Sequence, residues 1–366
     1  MKQPKIIISG GGTGGHVFPA ISIANAIKAK QPNAVILFVG ALGKIEMEKV
    51  PQAGYDIIGL DIKGLQRKLS IDNLMFPIRL LKSLWKANSI LNKFKADVAV
   101  GVGGYASGPL LYIASKNNIP YVIQEQNSYP GITNKLLAKN ASKICVAYEG
   151  MEKYFPAANI MYTGNPVRSE LLNVEGLRAQ AIAHFQLDVN KKTIFITGGS
   201  LGARTLNESV MNFAEEINAS EVQLIWQTGR FYYSTIVENA RGKFSRGVKI
   251  FEFISSMDMA YAAADLIIAR AGAGTISELC LVGKPVILVP SPNVAEDHQT
   301  KNALALVKNN AAVMVDDMHA KQELMPKALE ILKDETKLVQ LSAEIKKLGM
   351  PNAADIIAEE VLKLVK

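Results

Sequence analysis

The feature that most constrains this chain is a strand–glycine loop–helix unit that occurs twice. The first copy runs from Ile6-Ile7-Ile8 through Gly10-Gly11-Gly12-Thr13-Gly14-Gly15-His16 into a helix-like segment, Val17 to Ala29. The second runs from Lys192–Thr197 through Gly198-Gly199-Ser200-Leu201-Gly202-Ala203 into a helix-like segment from Arg204. Glycines let backbone N–H groups turn inward, and a helix N-terminus adds partial positive charge, so such a junction suits a phosphate. Two more landmarks repeat in the same order. Ala96-Asp97 opens a run that ends at Gly103-Gly104, and Ala264-Asp265 opens one that ends at Gly272. A proline-led strand follows each, from Pro120 and from Pro285.

Between these landmarks, apolar runs alternate with helical patterns. The predicted strands of the first half are Lys5–Ser9, Val35–Val39, Asp56–Leu60, Val98–Val102, Tyr121–Gln124 and Lys143–Ala147. Such alternation predicts parallel sheets covered by helices on both faces. The fold expected is therefore α/β, with two Rossmann-like domains in tandem. Sites in such sheets lie outside the carboxyl ends of the strands, so two facing domains would set both glycine loops on one cleft. A length of 366 residues agrees with two cores rather than one. The turn residues Thr163-Gly164-Asn165-Pro166 set the expected boundary: residues 1–164, then 165–350. Beyond Pro351 an amphipathic helix pattern reaches Lys366 and can pack on either domain.

Several function classes are disfavoured. The N-terminus enters a strand with no leader-like segment, and no apolar run reaches the roughly 18 residues that span a bilayer. Cys145 and Cys280 sit in apolar runs, as reduced core residues do. No Cys/His cluster has zinc-ligand spacing. The opening loop satisfies G-x-G-x-x-G, yet after the second strand no acid occurs until Glu46, which counts against a dinucleotide cofactor. No Gly-Lys-Ser/Thr follows, so a Walker loop fails as well.

The second half reads better as a nucleotide site. Ala271-Gly272-Ala273-Gly274-Thr275 turns into a helix that carries Glu278 one turn in. Amides at the turn suit a diphosphate, and a carboxylate can accept hydrogen bonds from both ribose hydroxyls. Asp297-His298-Gln299 follows another strand at the same sheet edge and suits sugar hydroxyls. The chain contains no Asp-x-Asp pair. Helix ends and amides, rather than a metal ion, are then expected to neutralise a leaving diphosphate, and no cofactor is implied.

The net charge of +8 is uneven: residues 61–95 hold eight lysines and arginines against two aspartates. Such a segment attracts nucleic acid, an acidic substrate or a lipid surface. No nucleic-acid motif accompanies it. Leu74, Ile78, Leu81 and Trp85 share one helix face, flanked by Arg79, Lys82 and Lys86. Periodicity alone allows either a core-facing helix or a membrane-facing one.

Six motifs then stand in a shared order: Gly11–His16, Gly103-Gly104-Tyr105-x-Ser107-Gly108-Pro109, Glu125-Gln126-Asn127, Gly164-Asn165-Pro166-Val167-Arg168, Gly198–Ala203 and Asp297-x-Gln299. Across essentially the whole chain this set resembles the MurG family. Those bacterial enzymes transfer N-acetylglucosamine from UDP-GlcNAc to lipid I (undecaprenyl-pyrophosphoryl-MurNAc-pentapeptide) and so make the peptidoglycan precursor lipid II. The resemblance implies a GT-B fold, with acceptor on the N-terminal domain and UDP-sugar on the C-terminal one. It implies donor contacts from Thr13, Gly14, Gly15, Asn127, Arg168, Ser200, Ile254 and Gln299. Glu278 would hold the ribose, and Ala273, Gly274 and Thr275 would line the diphosphate and sugar. A backbone group of Ile254 would read the uracil edge, and the last helix, about 351–366, would cross back to the N-terminal domain. Many relatives carry a histidine before Glu-Gln-Asn; here Gln124 stands there, so no role of that histidine transfers. Some carry a larger residue at Gly274.

The implied reaction is direct displacement at the anomeric carbon by the C4 hydroxyl of the muramyl unit, with inversion to a β-1,4 link. His16 is the first choice of base, since an imidazole titrates near working pH; Glu125 is the other. Beside an undecaprenyl-linked acceptor, segment 63–95 is expected to meet an anionic membrane, placing the protein peripherally on the cytoplasmic face of the inner membrane. The alternatives are a GT-B UDP-sugar transferase with another acceptor, or a non-catalytic sugar-nucleotide-binding protein.

Overall fold

The run Lys5–Ser9 forms β1, and its isoleucines are buried on both faces of the sheet. A strand buried on both sides belongs inside a parallel sheet with helices above and below. The computed structural model describes residues 3–64, 75–167, 169–294 and 297–365. The chain divides into two units, Met1–Arg168 with Met350–Lys366, and Ser169–Gly349.

In the first unit β1 is joined by β2 (Val35–Ala41), β3 (Asp56–Leu60), β4 (Val98–Gly101), β5 (Tyr121–Glu125), β6 (Lys143–Val146) and β7 (Ile160–Tyr162). Their order is β3-β2-β1-β4-β5-β6-β7, and every pair is parallel. The period-two alternation sorts the side chains. Ile7, Val39, Ala99 and Ile123 meet Ala87, Ile90 and Leu91 of the Phe76–Phe94 helix on one face. Ile6, Ile8, Phe38 and Val100 meet Val17, Ile23 and Ile27 of the Gly14–Lys30 helix on the other. Onto that second layer packs the Ala353–Lys363 helix, through Ile357, Ala358 and Val361. Lys30 pairs with Glu359 at 2.8 Å along its rim.

The second unit repeats the plan with β8 (Thr193–Thr197), β9 (Gln223–Gln227), β10 (Val248–Phe251), β11 (Leu266–Ala269), β12 (Val286–Leu288) and β13 (Val313–Met314). The order β10-β9-β8-β11-β12-β13 is again wholly parallel. In both sheets the strand order reverses at one point, between β1 and β4 and between β8 and β11. That reversal opens a crevice at the carboxyl ends, where ligands of this architecture bind.

Two local features bear on the site: one departs from the sequence reading, and the other decides between the two directions it left open for the Phe76–Phe94 helix. The first helix begins at Gly14, not Val17, because the His16 and Val17 N–H groups both donate to the Thr13 carbonyl, at 3.1 and 3.2 Å. The last loop glycines and His16 are therefore its first turn. The face bearing Ile78, Leu81 and Trp85 does not turn to the core: they are 46%, 67% and 76% exposed, while Ser83, Ala87, Ile90 and Leu91 are buried. Leu74, Arg67, Lys68 and Asp72 lie outside the described residues.

Candidate active site

The first glycine loop is held from three sides. From β4, the turn Gly103-Gly104 lies over it: the Gly11 N–H donates to the Gly103 carbonyl at 3.3 Å. A Cβ at Gly104 would stand 2.3 Å from the Gly11 oxygen, and one at Gly103 would meet the His16 ring at 2.6 Å. Both also have positive φ, so only glycine fits there. Ser107, buried, ties that turn to β1 by donating to the Ser9 and Gly103 carbonyls at 2.9 and 2.8 Å. From the second strand's side comes Glu46, fully buried, whose carboxylate accepts the Gly12 N–H at 2.8 Å and the Ala41 N–H at 2.9 Å. On the helix side, His16 Nδ1 lies 3.1 Å from the Gly11 carbonyl and 3.3 Å from Thr13 Oγ1. A carbonyl can only accept, so the contact with Gly11 is a hydrogen bond in the tautomer that carries its hydrogen on Nδ1. In neutral imidazole Nε2 is then the basic nitrogen.

Glu125, at the end of β5, is also buried, and its geometry is that of an anchor. Its oxygens accept from the Asn127 N–H (3.0 Å), Asn127 Nδ2 (3.2 Å), the Gly131 N–H (3.1 Å) and Asn134 Nδ2 (2.8 Å). Four donors fill the lone pairs that a base needs. The carboxylate fixes the loop that presents Asn127. Gln124 is sealed inside, donating to Asn165 Oδ1 at 2.8 Å and accepting from Gln126 Nε2. The amide network holds the 164–166 turn, since Asn165 Nδ2 donates back to the Gln126 carbonyl at 3.1 Å. Arg168 lies outside the described residues.

In the second unit, the Gly198–Ala203 loop is closed by a neutral group. Gln227, buried at the end of β9, donates through Nε2 to Thr197 Oγ1 (3.0 Å) and the Gly199 carbonyl (3.2 Å), and accepts the Ile254 N–H (2.8 Å). One side chain thus ties the loops after β8 and β10 together. The Ile254 N–H is thereby engaged within the loop. Gly202 and Gly229 cross backbone to backbone, a Cβ at Gly229 falling 2.1 Å from Gly202 Cα. Ser200 is exposed at the loop's tip.

Beside this loop starts the Ala273–Val282 helix. Its first N–H groups, on Ala273, Gly274 and Thr275, have no acceptor within the helix and carry the positive end of the dipole. Glu278 stands one turn in, its Oε2 accepting from the Tyr261 hydroxyl at 3.0 Å. That bond orients the carboxylate. A Cβ at Gly274 would meet nothing within 4 Å, so a larger residue fits there. At the end of β12, Gln299 Oε1 accepts the Ser291 N–H at 2.9 Å and shapes the loop. Arg270 joins the ends of β11 and β12 by donating to the Val289 and Pro290 carbonyls at 3.0 and 3.2 Å.

Burial pushes the thiols of Cys145 and Cys280 up to about 12, which removes both as nucleophiles at neutral pH. Among the described residues, no group of three or more His, Cys, Asp or Glu side chains could hold a metal ion. Glu46, Gln227 and Arg270 are the site-shaping residues that sequence reasoning missed. Only Glu46 left a signal there, as an acid too late in the chain to bind a ribose.

Comparisons with known proteins match this architecture. The glycosyltransferase family 28 N-terminal domain matches residues 6–146, and the family 28 C-terminal domain residues 193–357. A protein of Parabacteroides distasonis, named UDP-N-acetylglucosamine--N-acetylmuramyl-(pentapeptide) pyrophosphoryl-undecaprenol N-acetylglucosamine transferase, is 56% identical over 100% of this chain and 99% of its own length. A protein of the same name from Flavobacterium psychrophilum is 53% identical, again over 100% of this chain and 99% of its own. The crystal structure of Acinetobacter baumannii MurG superposes with a TM-score of 0.78 at 27% identity, covering 99% of this chain and 100% of that one.

Proposed function

The chain belongs to glycosyltransferase family 28, in its MurG group, and from that premise we propose how its residues divide the reaction. It is a GT-B enzyme that transfers N-acetylglucosamine from UDP-GlcNAc to lipid I, forming lipid II for peptidoglycan. The observation that carries the residue assignment is a contrast between the two units: the glycine loop after β1 bears an oriented imidazole, while the turn after β11 bears an oriented carboxylate beside a helix N-terminus.

UDP-GlcNAc binds the second unit. The N–H groups of Ala273, Gly274 and Thr275 meet the diphosphate, whose charge grows as UDP leaves. Glu278 accepts the ribose hydroxyls, the Ile254 carbonyl meets the uracil edge, and Ser200 and Gln299 meet phosphate and sugar. The acceptor binds the first unit, where the Thr13-Gly14-Gly15 turn, Asn127 and Arg168 complete the donor contacts. His16 Nε2 takes the proton of the muramyl C4 hydroxyl as its oxygen bonds the anomeric carbon. The bond from that carbon to phosphate breaks on the opposite face, and UDP departs with the electron pair. A positioned base contributes about 10²–10⁴ in rate. No metal enters the scheme.

Segment 63–95 docks the enzyme on the cytoplasmic face of the inner membrane. Ile78, Leu81 and Trp85 enter the interface, with Lys82 near anionic headgroups. Lys86 contributes less, because its ammonium donates to the Gly59 carbonyl at 2.7 Å. Among the described residues no helix is long and apolar enough to cross a membrane.

The test is turnover of UDP-GlcNAc with lipid I and with a soluble acceptor lacking the lipid, in EDTA. Turnover of both is expected, lipid I being favoured on vesicles. Binding of UDP-GlcNAc without turnover of either would leave a sugar-nucleotide-binding protein, and loss of activity in EDTA would overturn the metal-free scheme.

A further inference from the structure

Glu46 is a fully buried carboxylate that the scheme above does not use. Its surroundings are built for it. A Cβ at Gly11 would lie 2.1 Å from its Oε1, and one at Gly40 would lie 2.5 Å from its Cγ. Neither glycine has a positive φ. The space that the Glu46 side chain fills, rather than backbone strain, demands glycine at both. Its partners are the N–H groups of Gly12 and Ala41.

The Gly12 N–H and the Gly11 carbonyl belong to one peptide unit, and that unit is planar. Glu46 accepts at its nitrogen end, at 2.8 Å, and His16 Nδ1 sits 3.1 Å from its oxygen end. Carboxylate, peptide and imidazole thus form one chain of hydrogen bonds, each of which polarises the next. The arrangement is a carboxylate–histidine pair with a peptide inserted between its members. Its consequence rests on the reading of His16 as the base.

We propose that Glu46 is a positioning residue for His16, acting through the Gly11–Gly12 peptide to hold the imidazole as its Nδ1–H tautomer and to stabilise the imidazolium formed when Nε2 takes the acceptor's proton. A dinucleotide-binding fold places an acid near this strand end for a ribose; here the acid turns inward and serves the loop.

Charged groups also stand on the surrounding elements, and several of them are engaged elsewhere. Lys49, on the same short helix, bonds Glu48 and Gln52. Lys28 and Lys30, on the first helix, reach the Pro32 carbonyl and Glu359. Lys44 lies in the turn before Glu46, and Asp56 starts β3 at the opposite end of the sheet. In the turn over His16, Tyr105 packs against Gly64.

The test compares Glu46→Gln, His16→Ala and the double variant. It uses kcat/KM against pH together with ¹⁵N NMR of the His16 ring in the full chain. Glu46→Gln is expected to lower kcat roughly ten- to a hundredfold, as loss of an orienting partner commonly does. Removing the negative charge destabilises the imidazolium, so the acid limb of the profile and the His16 NMR midpoint both move to lower pH, and the Nδ1–H tautomer is depleted. In the His16→Ala background the same change should cost almost nothing further. If glutamine prevents folding, Glu46→Asp is the second variant: one methylene short, it draws the charge back from the Gly12 N–H, so the same depletion of the Nδ1–H tautomer and a smaller shift of the midpoint to lower pH are expected. An unmoved midpoint and tautomer, or an equal loss with and without His16, would overturn the relay and leave Glu46 a loop clamp. Less than a tenfold loss in His16→Ala would instead remove the base assignment, while the tautomer still reports on the relay.

Discussion

The two glycine junctions share a backbone and differ in what closes them. Under the first lies a buried carboxylate, Glu46; under the second a buried amide, Gln227. A carboxylate beneath the loop takes up the Gly12 N–H and sets negative charge where an anion would have to sit. The amide takes up a carbonyl and a hydroxyl and adds no charge near the helix N-terminus proposed to meet the diphosphate. On the proposed reading, the unit built on the first loop carries proton transfer and the other carries anion binding.

The largest effect expected is at the first junction. His16→Ala should lower kcat by about 10²–10⁴ in steady-state turnover, with little change in donor KM. Next is Glu278→Gln, which weakens charged hydrogen bonds to the ribose. It should raise the KM for UDP-GlcNAc by about ten- to a hundredfold, the range expected for such bonds, and leave kcat nearly intact. Gln227→Ala removes three buried hydrogen bonds, and should cost about 1–3 kcal/mol in a denaturant titration while raising donor KM. Leu81→Glu on the exposed helix face should abolish vesicle binding yet spare turnover of a soluble acceptor; Lys82→Glu should weaken binding about fivefold, and less at high salt. Smallest is Gly274→Ala, which has room for its methyl group and should stabilise the protein by up to about 1 kcal/mol.

Much of the first junction was legible in the sequence. β1 matches the predicted Lys5–Ser9, because a strand buried on both faces is a plain apolar run. The edge strand β3 matches Asp56–Leu60 as well, but the edge strands of the second sheet were harder. β10 is only half-buried and β13 is two residues long, so neither left a strong pattern. Periodicity found the Ile78–Leu81–Trp85 stripe but not its direction, since the Phe76–Phe94 helix carries a second apolar face at Ala87, Ile90 and Leu91. The closing residues were least legible. Gln227 bonds a partner 30 residues away and Glu46 one 34 residues away. Such pairings exist only once the parallel strands are in register. Glu125 shows the converse: a carboxylate beside a motif suggests a base, and only its four donors reveal an anchor.

The division of labour between the junctions is tested most directly by the UDP-GlcNAc affinity of His16→Ala measured beside that of Glu278→Gln, by calorimetry on the full chain. The account predicts that His16→Ala binds UDP-GlcNAc as the unaltered protein does while Glu278→Gln binds it at least about tenfold more weakly. Equal loss of affinity in the two variants would contradict it, because His16 would then hold the donor as Glu278 does instead of serving the acceptor's proton.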